Sequence, residues 1–305
     1  MTRTESNIVL FSITLCWASS YVFMKNLPDT LSAFAYLTMT SGIASMILVI
    51  VFFQRLKEFN RKLLFKSFIM ASIICGNLIF ERMGVISIPA STASFIASLN
   101  IVFVPVLLLL FRKKPTKNNL LGILLILLGL TFTSGIKPGQ TMEVGVLYMT
   151  IGCGFMAVYI ICTDKFTKNS NPLLLGVGQM FFTTLISFVL WSMEEPGTFT
   201  SINYTKDILA NIFLLAFFAK AYAYIMLMYS QKYANPISVT VIASTEPIVT
   251  MVLAMLIPGT YGMKESFTLM KLIGALFIAF GAFCAGTRFL DKKEGKVVER
   301  DTVSL

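Results

Sequence analysis

Apolar runs of about 18 residues or more, each long enough to cross a hydrocarbon core of about 30 Å, follow one another along this chain. Repetition of that kind has no counterpart in a soluble domain. Only 13% of the 305 residues are charged, whereas a soluble domain carries roughly 25%. The sequence is therefore that of an all-α integral membrane protein, with the lipid bilayer as its first partner. The runs predict ten spans, at about 8–26, 33–53, 67–87, 89–111, 118–136, 144–164, 171–193, 208–231, 235–257 and 267–287. Leu27-Pro28-Asp29, Ser87-Ile88-Pro89 and Asn235-Pro236 supply turn chemistry between the tightest neighbours. Arg3 ahead of the run from Ile8 mimics a signal peptide. No small-residue cleavage site follows, so this segment is expected to be a retained first span.

The distribution of basic residues sets the expected orientation. With the N-terminus cytoplasmic, 18 of the 25 Lys and Arg residues fall on the cytoplasmic side, among them Arg55, Lys57, Arg112, Lys113, Lys114, Lys168, Lys232 and Arg288. Five fall outside (Lys25, Lys137, Lys206, Lys264 and Lys271), and Arg82 and Lys220 lie within spans. Both termini are thus expected in the cytoplasm, in the inner or plasma membrane. The net charge of +10 reports topology, so no nucleic-acid partner is expected.

Residues 96–100, IASLN, return at an offset of 146 as IASTE at 242–246. GILLILLG at 122–129 returns as GALFIAFG at 274–281, and Trp17-x-x-x-Tyr21 is echoed by Phe155-x-x-x-Tyr159. The order of these echoes predicts a duplication: a first repeat over 1–136, a second over 137–290, and a disordered tail over 291–305. Five spans is an odd number, so the second copy enters the membrane upside down. Inverted repeats of this kind are characteristic of secondary transporters.

Glu81, Arg82, Lys220 and Glu246 interrupt the apolar runs. An ionisable group inside a span costs about 2.5–3.5 kcal/mol on insertion scales, so each needs a reason. At about 1.5 Å per residue, Glu246 lies roughly 16 Å beyond the turn at Asn235 and Lys220 roughly 21 Å before it. Glu81 lies roughly 12 Å from the opposite face, which puts all three in one layer. Two readings follow: an interhelical Lys220–Glu246 pair, or a polar substrate site. Arg82 points about 100° away from Glu81 and is able to extend toward outer headgroups. Pro247 has no N–H for the Ala243 carbonyl, so a kink and a free carbonyl are expected beside Glu246. Asn100 is the first-repeat counterpart of Glu246, with Pro105 beyond it as a second hinge candidate.

Trp17, Tyr21, Tyr159 and Tyr222 are candidate cavity aromatics, suited to stacking or to cation–π contact, with lipid contact as the plainer reading. Gly122, Gly129, Gly274 and Gly281 mark faces for close helix approach, as scaffold or as homodimer contact. Catalysis is not expected: histidine is absent and the five cysteines are scattered. Neither a metal site nor a cofactor is expected. No nucleotide-binding loop occurs, and the short tail argues against a receptor or scaffold.

The ten-span 5+5 layout, WASSYVFMK in the first span, the pair IASLNIVFVPV and IASTEPIVTMV, and the glycine-spaced last span of each half resemble the drug/metabolite transporter superfamily, in its EamA-type members. The resemblance implies a central cavity lined by spans 1, 3, 4, 6, 8 and 9, with spans 5 and 10 peripheral. It also implies transport of a small-molecule metabolite, often outward, with amino acids among the known classes. The chain departs from that pattern at the ends of spans 4 and 9, LLFRKKPTK and LIPGTYGMKES, where members commonly carry an acid. Lys220 also stands where a small or hydroxyl residue is usual. The expected function is a secondary active exporter of a small polar metabolite, an amino acid or related zwitterion. Glu246 would bind a proton or a substrate cation, and Lys220 would pair with it or take a carboxylate. An uncoupled facilitator or exchanger is the alternative.

Overall fold

Side-chain caps punctuate the chain at the places where its apolar runs begin. Ser32, Asn60, Thr205 and Asn235 each accept a hydrogen bond from the backbone N–H three residues on, and Asn171 accepts from Leu173 and Leu174. Each satisfies a donor that the first helical turn leaves free. Pro172 and Pro236 directly follow two of these caps, where a missing N–H carries no penalty.

The computed structural model describes residues 3–110, 116–133, 143–199, 202, 204–257 and 268–286. No strand occurs among them. In chain order the helices are α1 (Arg3–Lys25), α2 (Ala33–Val51), α3 (Arg61–Ser87), α4 (Ala90–Leu110), α5 (Lys117–Thr133), α6 (Val144–Lys168), α7 (Pro172–Glu194), α8 (Lys206–Gln231), α9 (Pro236–Leu256) and α10 (Leu269–Gly286). Among the described residues, eight of these, all but α5 and α10, are long and apolar enough to cross a membrane. The apolar parts of α5 and α10, Lys117–Gly129 and Leu269–Ala285, are shorter. The third helix starts earlier than its apolar run, because the Asn60 cap recruits Arg61, Lys62 and Lys66 into its first turns. The expected disordered tail over 291–305, and the charges at Arg112, Lys113, Lys114, Lys137, Lys264, Arg288, Lys292, Lys293, Lys296 and Arg300, lie outside the described residues.

Packing relates the first five helices to the last five. The tightest contacts join α5 to α10, α3 to α6, α2 to α7 and α3 to α7, followed by α2 with α8, α1 with α8 and α9, α4 with α6, and α4 with α9. Exchanging every helix with the one five places away leaves this set of pairs unchanged.

The α5–α10 contact explains the glycine spacing. A Cβ built on Gly122 would lie 2.6 Å from the Gly281 carbonyl oxygen, and one on Gly281 would lie 2.8 Å from that of Gly122. A Cβ on Gly129 would lie 2.6 Å from the Gly274 carbonyl oxygen. The four glycines therefore bring two backbones together within the chain. Gly122→Leu should destabilise the protein by about 1–3 kcal/mol or more through overpacking against that backbone. A melting temperature in detergent equal to that of the unsubstituted chain would show that α5 and α10 do not pack this way.

Candidate functional site

Two helices are interrupted at matched positions. α4 is regular over Ala90–Ala97 and again over Asn100–Leu110, and α9 over Pro236–Ala243 and again over Glu246–Leu256. The breaks are separated by the same offset of 146 that relates IASLN to IASTE. Local chemistry produces them. The hydroxyls of Ser98, Thr240, Ser244 and Thr245 donate back to carbonyls three or four residues earlier, at 3.3, 3.0, 2.6 and 2.8 Å. Back-bonding of this sort bends a helix. The backbone tightens to three-residue bonds there, Leu99 N–H to Ile96 at 2.9 Å and Thr245 N–H to Ile242 at 3.1 Å. Pro247 then withholds an N–H from the Ala243 carbonyl. Pro105 sits inside the second half of α4, buried and away from the cavity.

Both breaks face a cavity enclosing ≈ 740 Å³ of empty space, open solvent at its mouth included. Its walls come from α1, α3, α4, α6, α8 and α9. Glu246, Lys220, Asn100, Glu81, Trp17 and Tyr21 all line it. Tyr159 and Tyr222 do not. The Tyr159 hydroxyl donates to Gln179 at 2.9 Å, and its ring meets Tyr224 edge-on at 5.9 Å, one layer behind the wall. Tyr222 is turned to the Ser12 hydroxyl at 2.7 Å. It is Tyr224, two residues on, that faces the space.

The charged groups are deeply enclosed: Lys220 is 3% exposed and Glu246 6%. Among the described residues none of Lys220, Glu246 and Glu81 forms an ion pair within 4.0 Å, so the interhelical Lys220–Glu246 pair, one of the two readings of the sequence, is not made. Lys220 instead lies with its ammonium 5.7 Å from the ring centroids of both Tyr36 and Tyr224. Two aromatic faces thus receive the cation. Glu81 and Glu246 line the same cavity as Lys220 and Tyr21, so the two carboxyl groups are like charges in one enclosed space when both are ionised. Two further polar atoms in the walls, Trp17 Nε1 and Asn100 Oδ1, are buried without a protein partner.

Lys220 owes its position to a wide turn. Over Leu215–Tyr222 α8 is π-helical, with bonds five residues apart, a feature common at functional sites. Arg82 has a different fate from its neighbour Glu81. It is 1% exposed and donates to the carbonyls of Met24 at 2.8 Å, Pro28 at 3.0 Å and Leu31 at 3.2 Å. Its guanidinium also covers the Tyr36 ring at 5.5 Å. Rather than extending to headgroups, it pins the α1–α2 connection.

Tyr36 and Asn77 escaped sequence reasoning. Asn77 lines the cavity and donates to the Gly152 carbonyl at 3.1 Å. It is a polar interruption of an apolar run, the same signal that marked Glu81. Tyr36 on α2 carries no such signal, since it reaches Lys220 only through helix packing. Among the described residues no group of three His, Cys, Asp or Glu side chains stands together as metal ligands.

A family model described as the EamA-like transporter family matches residues 5–135 and again 143–287. The chain belongs to this family. As an EamA-like membrane protein it is similar to an uncharacterized transporter of Archaeoglobus fulgidus, 24% identical over 287 residues, which are 94% of this chain and 87% of that one. A second uncharacterized transporter of the same organism is 22% identical over 279 residues, 90% of this chain and 96% of the relative. A solved crystal structure shares the fold with a TM-score of 0.72 at 14% identity, covering 93% of this chain and 97% of its own. The EamA-like chain is thus a multi-pass membrane protein whose cavity-lining helices are the six implied by the family resemblance.

The carbonyls of Met24 and Pro28 also accept from the N–H groups of Leu27 and Leu31, at 3.2 and 3.0 Å, so removing Arg82 leaves the Leu31 carbonyl without its donor, at about 1–3 kcal/mol when buried unpaired. Arg82→Met is accordingly expected to lower the melting temperature. Unaltered thermal unfolding would mean that the α1–α2 connection does not depend on it.

Proposed function

We propose that this EamA-like protein is a secondary transporter that moves a small metabolite bearing both an ammonium and a carboxylate, an amino acid or related zwitterion, by alternating access. One observation carries the reading. Two carboxyl groups and a single ammonium share an enclosed cavity, so it is electrically balanced only when a carboxyl group holds a proton or a cation enters. In low dielectric such an imbalance is expensive. A proton on Glu246 resolves it in the empty carrier. A zwitterion is itself neutral and leaves the sum unchanged, so a proton stays in the cavity with it: the substrate ammonium takes Glu246, beside the Asn100 carbonyl, the substrate carboxylate takes Lys220 and the Trp17 N–H, and Glu81 holds the proton. Proton and substrate are thereby coupled through the two carboxyl groups.

The two-fold pairing of helices supports an inverted repeat of five plus five spans, with the short α5 and α10 completing ten and the breaks in α4 and α9 meeting at the cavity. The basic loops support cytoplasmic termini and residence in the inner or plasma membrane, and export is the direction in keeping with the family. An uncoupled facilitator is the second reading, because Lys220 and Glu81 offset each other without a proton.

Purified protein in liposomes tests both readings. Glu246→Gln should abolish stimulation of uptake by an imposed pH gradient and the thermal stabilisation given by a zwitterionic substrate. Lys220→Met should lose stabilisation by zwitterions while retaining that given by simple amines. Transport by Glu246→Gln that still follows the pH gradient would rule out coupling at this residue. Transport by the unsubstituted chain that ignores the gradient would establish the facilitator.

A further inference from the structure

A second pocket lies far from the first, where the α2–α3, α6–α7 and α8–α9 connections meet. It holds ≈ 790 Å³ of empty space, open solvent at its mouth included. Arg55 from the turn after α2, Lys168 from the end of α6 and Lys232 just past α8 line it, together with the hydroxyl-bearing Ser170 and Tyr229. Lys66 stands behind Ser170 and donates to its hydroxyl at 2.8 Å. Asp164 is held by Lys168 at 2.9 Å on the same helix, and among the described residues no acidic side chain is in the pocket wall itself. Arg55 and Lys232 are exposed and sit on different connections, so the fold, and not local sequence, brings these charges to one place.

The arrangement suits a phosphate group. A guanidinium supplies two parallel donors, ammonium groups supply point charges, and hydroxyls complete the donor set. The chain leading into Arg55 is apolar and faces outward, with Ile50 74%, Val51 66% and Phe53 71% exposed. Such a surface at the end of a membrane helix meets lipid tails. We propose that this pocket is a binding site for an anionic phospholipid, with the headgroup phosphate between Arg55, Lys168 and Lys232 and the acyl chains along the end of α2. Basic pockets between helices at a membrane surface are suited to such headgroups. A soluble phosphate would use the same donors but would gain nothing from the apolar shoulder.

Native mass spectrometry of the full-length chain, titrated with phosphatidylglycerol and with phosphatidylcholine, tests the assignment. The triple substitution Arg55→Gln, Lys168→Gln, Lys232→Gln should weaken phosphatidylglycerol binding by about tenfold or more and leave phosphatidylcholine unaffected. Arg55→Gln alone, which spares the Asp164–Lys168 pair, should show a smaller loss in the same direction. Lys57→Gln, exposed on the same linker but outside the pocket, should bind as the unsubstituted chain does. Equal binding by the triple variant overturns the site, as does an equal loss in Lys57→Gln, which would reduce the effect to general surface charge. Displacement of phosphatidylglycerol by glycerol phosphate at comparable concentration would assign the pocket to a soluble anion and overturn the lipid.

Discussion

Glu81, Lys220 and Glu246 are charges in a bundle whose outer surface is hydrocarbon, and everything around them answers to that constraint. Lys220 and Glu246 are buried, and the unmade ion pair means that the charges do not neutralise one another by direct contact. The protein offers aromatic faces to Lys220. The helix interruptions bring Asn100 and Glu246 to the start of new helical segments at the cavity wall. Six helices encircle the space, and α2, α5, α7 and α10 contribute no wall to it.

Rigidity is unevenly distributed. The glycine contact between α5 and α10 leaves no room for a single added carbon, so the two halves are clasped along one edge of the bundle. At the opposite functional extreme, the matched breaks in α4 and α9 replace regular helical bonds with shorter three-residue ones and side-chain back-bonds. A firmly held edge beside two interrupted helices suits the alternating access proposed above. Arg82 adds a fixed point on the α1–α2 connection, donating to three of its carbonyls at once and supplying the donor for that of Leu31.

What the sequence disclosed and withheld follows from how each property is encoded. The membrane helices are written in apolar length, and eight of the expected spans are long and apolar enough to cross. The kink expected at Pro247 falls at the α9 break, whereas the α4 break precedes Pro105, the hinge expected there. The site carboxylates and Lys220 were legible because charge inside an apolar run is rare. Partnerships were not. Lys220 meets Tyr36 and Tyr224 and not Glu246, on and just after the π-helical stretch Leu215–Tyr222, and AFFAKAYAY contains no mark of that stretch. Arg82 went to backbone carbonyls, acceptors that no side-chain pattern announces.

That wide turn also has a bearing on how this chain tolerates change in length. A π-helical stretch accommodates a surplus residue that an ordinary α-helix would have no place for. Loss of one residue between Leu215 and Ala219 would therefore restore ordinary α-helical spacing and leave the flanking segments of α8 in their present orientation. The residues inside the stretch, Lys220 among them, would lose the wide turn on which the ammonium stands between Tyr36 and Tyr224. The length of α8 is in this sense part of the chemistry of its cavity.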